Sequence, residues 1–593
     1  MMHYSKDNRT SIDYTTETEP IGDKGLGSLL VLLQVLQAVE AGELLLTDQV
    51  KVNEVVAKEK RSPNAVQFDE GEFISLSELI RLHVCTMGPD TSLLLAKLFR
   101  EQTKKSCQKA IDAFVVENEL TENCCKNISG RKKRNDPQSY TIQDVKKISV
   151  MFMELSKELL AYFIDVECVH KGKLFKKQGH LVGEREVGYR ISWLNNSIAF
   201  DEHTLVVVLE AENTFELDQQ LLKLWFEEDY EDISIEKLIK ENKKQKTFRK
   251  KNVTMTVVGD TYLGEWYSER RIKRNQWDPL TEEGYDYSFE KVQSFLDEAD
   301  FTIANLEAVL VDDPTISPMK RKKKFVLGAK ADITAETFKK HGIDLVTLAT
   351  NHTNDFGRAG ILSTLAALKK QKIAAIGSGH TSLEALCPYR LKTKSQDLFI
   401  FNGYWFRNGQ YNEFGMYAQG NHLGGNCLSQ QLFRTIQRTK EEFPASKVIV
   451  LCHWGIDFQH INPTQRFLAR RLVEAGADLI MGHGPHAIQP IEQVDGVDVL
   501  YSLGNFVFNS NGEFDTHPEA VPYGMVTQLK LEDDQMILQA QMIYAENQLT
   551  RWQPRKVDME DFKRILETWG EANLQELGWQ INREDGTLTK QVC

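Results

Sequence analysis

What this chain has little of narrows its identity first. Its 593 residues hold nine cysteines, an odd number with no C-x-x-C pair. That excludes a disulfide framework and a thiolate zinc knuckle, and it fits a reducing compartment. The one long apolar run, Leu29–Val39, is interrupted by Gln34 and Gln37 and falls well short of the ~20 apolar residues that span a bilayer. A mixed, net acidic segment precedes it rather than a basic one, which argues against a secretory leader. The expected location is therefore the cytoplasm, at most peripheral to a membrane. An excess of positive charge is also missing. A formal net charge of −13 opposes wholesale binding to nucleic acid, and the short basic runs Arg131–Arg134 and Arg321–Lys324 read as solvated loops.

With 41% hydrophobic and 26% charged residues, the composition is that of a globular protein, and the length predicts several domains. Residues 1–20 read as a loose polar tail. From 21 to 239 the patterning is mixed α and β. Helical spacing runs through Leu29, Leu32, Leu33, Leu36 and Val39 and stops at Gly42, further helices start near Ser75 and include Leu93–Phe99, and a long helix is expected over Ile142–Val166. Strand-like runs follow at Gly188–Trp193 and Thr204–Leu209. Residues 240–251 (KENKKQKTFRKK) carry too little apolar content to pack and predict a basic linker. From 252 to 545 short apolar runs alternate with helical segments, the signature of strands joined by crossover helices in an α/β fold. Residues 546–593 read as a helical extension.

The chemistry concentrates in this second half. Five apolar runs end on polar groups: Val253–Val258 on Asp260, Phe301–Ala304 on Asn305-Leu306-Glu307, Ile343–Ala349 on Asn351-His352, Lys447–Cys452 on His453, and Ala477–Met481 on His483 and His486. Carboxylate, amide oxygen and imidazole together suit a hard-to-borderline divalent cation such as Mn, Fe, Zn or Mg. In open α/β sheets ligands gather beyond the carboxyl ends of the strands, where all six candidates would lie. Taken singly, each residue has an ordinary alternative: a turn for Asp260, a loop cap for Asn351, a hydrogen-bonded core histidine for the others. The repetition at five strand ends favours one shared site.

The ordered segments Val-Val-Gly-Asp260, Ala-Asn-Leu-Glu307, Ala-Thr-Asn351-His352-Thr-Asn-Asp355, Cys-His453-Trp-Gly, Met-Gly-His483-Gly-Pro-His486 and Tyr501-Ser-Leu-Gly-Asn-Phe-Val-Phe508 resemble the CapA family. That family is named for capsule (poly-γ-glutamate) synthesis and belongs to the metallo-dependent phosphatase superfamily. The resemblance spans about 252–531. It implies an αββα sandwich, metal ligation by Asp260, Glu307, Asn351, His453, His483 and His486, and His352 as general acid or phosphate contact. Asp355 would orient that imidazole, or else cap the following helix. The implied activity is metal-dependent hydrolysis of a phosphate ester or an anionic polymer, with membrane-bound capsule-synthesis partners. The alternatives are amide hydrolysis of poly-γ-glutamate and a non-catalytic recognition or scaffold role in envelope polymer assembly. The chain departs from the superfamily pattern at Tyr262, where a histidine is usual, at Glu307 in place of a bridging aspartate, at Glu265 where the family often has a basic residue, and in the spacing of His483 and His486. One metal or two therefore stay open.

The first half resembles class A β-lactamases and related serine acyl-transferases over roughly 20–235, through Val39-Glu-Ala-Gly and the following turn, Leu76–Phe99, and Lys177-Gln178-Gly179 before Gly188-Tyr189. That chemistry needs a serine with a lysine three residues on. The alignment puts Gly25 and Ser28 there, and the S-D-N position falls near Gly88-Pro89-Asp90, so an α+β fold without acyl transfer is expected. Incubation with fluorescent penicillin should leave the chain unlabelled; a covalent band mapping to this half would refute that expectation.

Overall fold

The computed structural model describes residues 2–5, 10–12, 21–22, 25–59, 64–122, 124–125, 127–129, 139–164, 167–176, 189–193, 195–201, 204–225, 233–394, 396–512, 514, 520–532 and 535–592. They fall into two compact units, Met1–Tyr230 and Glu231–Cys593. Among the described residues no helix is long and apolar enough to cross a membrane. All eight described cysteines are free thiols, as expected for a chain without a disulfide framework.

In the first unit an antiparallel sheet runs in the order Thr10–Ile12, Met2–Ser5, Thr204–Val208, Asn196–Phe200, Tyr189–Trp193. Residues 2–5 and 10–12, expected as a loose tail, are thus strands, with 10–12 at the sheet edge and 2–5 paired on both sides: backbone pairing needs no apolar periodicity. The helix Leu26–Glu40 begins after Gly25 at φ 86° and is apolar on nearly every side, with Leu29, Leu30, Leu32, Leu33 and Leu36 fully buried. Such a helix belongs in the interior. The helix expected over Ile142–Val166 ends at Met153, and a new turn starts at Lys157 after Ser156 in extended conformation. Lys177, Gly179 and Arg131–Arg134 lie outside the described residues.

At the expected acyl-transfer position, Gly25 has no hydroxyl and Ser28 is buried. The Ser28 carbonyl is 3.2 Å from His83 Nε2, whose Nδ1 is 2.8 Å from Thr91 Oγ1. Burial holds the His83 imidazole down to about 4, although the Ser28 carbonyl opposes the shift.

The second unit holds two sheets. Its five site-bearing strands are labelled β1 (Val253–Tyr262), β2 (Phe301–Leu306), β3 (Ile343–Thr347), β4 (Lys447–His453) and β5 (Leu479–His483). One sheet runs Ala374–Ile376, β3, β2, β1, Tyr523–Glu532, Gln535–Tyr544, Thr587–Val592, Gln580–Asn582, with Asn505–Phe508 also paired to β1. The other runs Gln245–Thr247, Tyr389–Lys392, Asp397–Tyr404, β4, β5, Val497–Leu503, Ile488–Val494. Strands β1, β2 and β3 are parallel, as are β4 and β5, so their carboxyl ends point one way within each sheet. Met255, Val257, Ile303 and Leu345 from the first sheet share one buried cluster with Ile400, Ile449, Leu451 and Met481 from the second. Val258, Ala304 and Val346 alternate onto the opposite face, clustered with Phe338 and Leu368 of the covering helices. The strands are near-continuous apolar runs because both faces are covered.

Two boundaries differ from expectation. Residues 240–251 are no free linker: Ile235–Asn242 is a helix and Gln245–Thr247 pairs in parallel with Tyr389–Lys392. Lys244 is buried, its ammonium donating to the Glu384 carbonyl at 2.7 Å. An ammonium on a long apolar stem can satisfy a buried carbonyl, which composition counting misses. Residues 546–593 are also more than a helical extension. Helix Met559–Trp569 buries Phe562, Ile565, Leu566 and Trp569 in the inter-sheet cluster, helix Glu571–Glu576 adds Leu574, and Gln580–Asn582 and Thr587–Val592 extend a sheet.

His83 generates a pH prediction. The unfolded chain takes up this proton near 6.5 and the folded chain only near 4. The contribution is complete above 6.5 and is lost as pH falls toward 4, at about 1.4 kcal/mol per pH unit. Urea midpoints of the full chain should fall more steeply with acidification in wild type than in His83→Gln; equal slopes would contradict the assignment.

Candidate metal centre

The carboxyl ends of β1–β5 converge. On β1 the register shifts between Val258 and Asp260. Gly259 is required there because a Cβ would lie 2.0 Å from the Gly504 carbonyl oxygen. The Asp260 backbone N–H donates to that carbonyl at 2.9 Å. Asp260, fully buried, accepts from Asn305 Nδ2 at 2.8 Å and from the Gly484 N–H at 3.2 Å. On the other sheet His453 and His483 are register partners across β4 and β5. Beyond β5 the chain turns through Gly484 at φ 108° and returns His486, itself at φ 60°.

Asp260, Glu307 and His486 each offer a ligand atom, and these atoms all lie within 4.8 Å of one another. His486 Nε2 is 3.6 Å from Glu307 Oε1, and its Nδ1 is 3.3 Å from Asp260 Oδ2 and 2.9 Å from Asn505 Oδ1. His453 adjoins them, with Nε2 at 3.8 Å from Glu307 Oε1 and Nδ1 at 3.2 Å from Asn305 Nδ2. His483 turns Nε2 toward the Val258 carbonyl at 3.2 Å, leaving a buried Nδ1 without a hydrogen-bond partner. The side-chain oxygen of Asn351 is likewise buried and unpartnered. Both carboxylate oxygens of Glu307 are in the same state. Unsatisfied buried acceptors of this kind are costly. Four of them beside an acid–imidazole cluster fit a cation, with a donor set suited to a hard-to-borderline divalent ion.

Burial and neighbouring charge shift each group of the cluster; burial lowers His486, but Glu307 and Asp260 more than offset it and hold that imidazole well above its ordinary range. Burial raises the Glu307 carboxyl well above its ordinary range, helped by Asp260 and Asp457 and opposed by His486. Burial also opposes ionisation of Asp260, but the hydrogen bond and charge of His486, with His453 and His483, outweigh it and hold Asp260 down to about 2. Burial depresses His453 to about 3 and lowers His483, so both favour the neutral form that ligates metals.

His352 and Asp355 form a dyad: Nδ1 lies 2.6 Å from Asp355 Oδ2, and Nε2 points toward Glu307 Oε1 at 3.8 Å. Asp355 does not cap the following helix, whose N-cap is Phe356 without a side-chain bond. It accepts instead from His352, from the Leu327 N–H at 2.8 Å, and from Lys323. Burial pushes the Asp355 carboxyl up, and the charges of His352 and Lys323 more than offset this, leaving it below the usual range. Burial lowers His352, partly opposed by Asp355.

Sequence reasoning missed several contributors. Lys323, read as part of a solvated run, has a side chain only 8% exposed and also donates to the Asn351 carbonyl at 2.7 Å. Asn305 ties Asp260 to His453 and accepts from Thr347 Oγ1 at 2.7 Å. Asn305 lies two residues before Glu307, and Asn505 lies in the segment Tyr501–Phe508; both positions are polar breaks in apolar strand ends. Tyr262, in the place of the usual histidine, is committed elsewhere: its hydroxyl donates to the Gly328 carbonyl at 2.9 Å and accepts from the Trp266 N–H at 2.7 Å. Glu265 is buried, pushed up to about 7 by desolvation, and accepts from the Lys330 N–H at 3.0 Å. Trp454 is fully buried and donates from Nε1 to the Tyr501 carbonyl at 2.8 Å. A cleft of about 270 Å³ opens over the cluster, lined among others by Lys322, Lys323, Lys324, Asn351, His352, Asp457 and His486.

Two packed sheets with covering helices, and an acid–histidine cluster where parallel strands end, define the second unit as a metallophosphatase-like αββα domain. Within it, residues 254–510 match the family model described as "Bacterial capsule synthesis protein PGA_cap". The capsule biosynthesis protein CapA of Bacillus anthracis is 29% identical over 269 residues, 43% of this chain and 60% of that protein. The PGA biosynthesis protein CapA of Bacillus subtilis (strain 168) is 28% identical over 279 residues, 45% of this chain and 67% of that protein. The chain thus spans about two thirds or less of these relatives. Among solved structures, penicillin binding protein 6B from Escherichia coli aligns with 38% of this chain and 74% of its own at 15% identity and a TM-score of 0.32. Penicillin-Binding Protein D2 from Listeria monocytogenes aligns with 38% of this chain and 96% of its own at 16% identity and a TM-score of 0.31.

Asn305 gives a direct check. Asn305→Leu keeps the volume but strips partners from Asp260 and Thr347, and should lower the stability of the full chain by about 1–3 kcal/mol, read as a urea midpoint shift at unchanged slope. An unchanged midpoint would remove Asn305 from the supporting network.

Proposed function

We propose that the second unit is a CapA-like capsule (poly-γ-glutamate) synthesis module that works as a metal-dependent hydrolase of a phosphate ester or related anionic polymer. The observation that carries this is Glu307: a fully buried carboxylate with both oxygens unpartnered, beside Asp260 and His486, under an open cleft. Asp260, Glu307, Asn351, His453, His483 and His486 would hold a divalent ion. When bound, such an ion supplies Lewis-acid chemistry, acidifying water and offsetting charge on a substrate oxyanion. Tyr262, engaged with Gly328 and Trp266, leaves no histidine for a second full ligand set and favours one ion over two.

The residues divide the remaining work. Asp355 holds the His352 ring by Nδ1, so Nε2 faces the cleft and exchanges a proton there. Lys323 fixes both Asp355 and the Asn351 backbone, coupling the dyad to the ligand-bearing turn. Desolvation of the carboxylates strengthens their hold on a cation. The first unit is proposed as a β-lactamase-like domain without acyl transfer, which binds or positions rather than cleaves.

The test is metal content by plasma emission spectrometry together with p-nitrophenyl phosphate turnover. About one divalent ion per chain is expected in wild type and little in Glu307→Gln. His352→Ala should keep the metal and lose about 10²–10⁴-fold in kcat. No divalent metal and no turnover in the wild-type chain would leave only the recognition or scaffold role.

A further inference from the structure

Beside the cleft over the cluster lies a second one, of about 300 Å³, and Lys323 and Lys324 line both. Its wall carries Arg270, Lys273 and Lys320 as well, against a single acid, Glu269. That acid is paired with Lys273 one helical turn on. Lys323 is held by Asp355. Among the described residues, Arg270, Lys320 and Lys324 have no carboxylate at ion-pair distance. Arg270 instead donates to the Trp266 carbonyl at 2.8 Å with its guanidinium over that indole ring, Lys320 donates to the Thr315 carbonyl at 3.3 Å, and Lys324 sits 4.9 Å from the centre of the Phe325 ring.

Like charges left unpaired around one concavity repel one another, and their field concentrates anions there. Surface lysines that are merely solvated tend to interleave with acids. Here three cations without a carboxylate partner share one cleft with the Trp266 indole, in a chain whose net charge is −13. The guanidinium is held by Trp266, and a planar cation so oriented suits a carboxylate or phosphate.

We propose that this cleft is a second anion-binding subsite. It takes a carboxylate or phosphate group carried further along the same ligand whose reacting group lies beside Glu307. The shared lysines make the two clefts one track, so the ligand is an extended oligoanion rather than a small monoester. The role of the first cleft rests on the hydrolase reading above; the second cleft's affinity for anions does not.

The experiment uses fluorescence anisotropy on the full chain. Labelled γ-linked glutamate oligomers of one to about eight residues supply carboxylates, and short polyphosphates supply phosphates. Wild type should bind the longer probes of at least one class at least tenfold more tightly than the monomeric unit, and the class preferred identifies the anion. Lys320→Gln, at an exposed position, and Arg270→Gln/Lys320→Gln should weaken long-probe binding by roughly ten- to a hundredfold, leave monomer binding unchanged, and keep the wild-type circular dichroism and metal content. Long-probe affinity that is unchanged in both variants, or no length dependence in wild type, would overturn the subsite. If wild type holds no metal and turns over no ester while the variants still lose long-probe binding, the hydrolase reading falls and the subsite stands.

Discussion

The second unit depends on burying two carboxylates, Asp260 and Glu307, where the carboxyl ends of two parallel strand sets meet. An isolated carboxylate in such surroundings is strongly disfavoured. Around Asp260 the protein supplies an asparagine amide, a backbone N–H and the His486 ring. Around Glu307 it supplies imidazoles at 3.6–3.8 Å but no hydrogen bond to either oxygen. The two acids thus differ: Asp260 is hydrogen-bonded by the fold, whereas Glu307 lies among imidazoles with neither oxygen hydrogen-bonded.

That asymmetry organises what surrounds it. Glycine at 259 lets β1 approach the Gly504 carbonyl and turn Asp260 inward. The left-handed backbone at Gly484 and His486 brings the last histidine back over β5; strain of this kind persists where packing over-determines it. The dyad of His352 and Asp355 is anchored by Lys323 from a loop remote in sequence, so the same cation that lowers Asp355 also ties down the turn carrying Asn351. Lys323 then forms part of the wall between the two clefts, and positioning and anion attraction come from one short basic run.

In the interior of the first unit His83 meets Thr91 and the Ser28 carbonyl, and Arg190 donates to Asp218 and Ser192. At Gly25 and Ser28 the acyl-transfer pair is absent, and Ser28 is buried.

The sequence by itself determined the strand ends. Apolar runs stopping on Asp260, Glu307, Asn351, His453 and His483 were legible because a strand buried on both faces must be apolar, and a polar group at its end must leave the core. The order of the motifs, the α/β character and the absence of a membrane-spanning run were equally local facts. Only the tertiary structure decided which of those groups meet: Asp260, Glu307 and His486 as one cluster, His453 beside it, and His483 turned toward Val258. It also assigned Asp355 to His352 rather than to a helix cap, drew Lys323 out of a run that composition reads as solvent-facing, and placed residues 245–247 of the expected linker in a sheet. The physical reason is the same in each case. Periodicity reports whether a residue must be buried, whereas its partner is chosen by chain segments tens to hundreds of residues away, and no local pattern carries that choice.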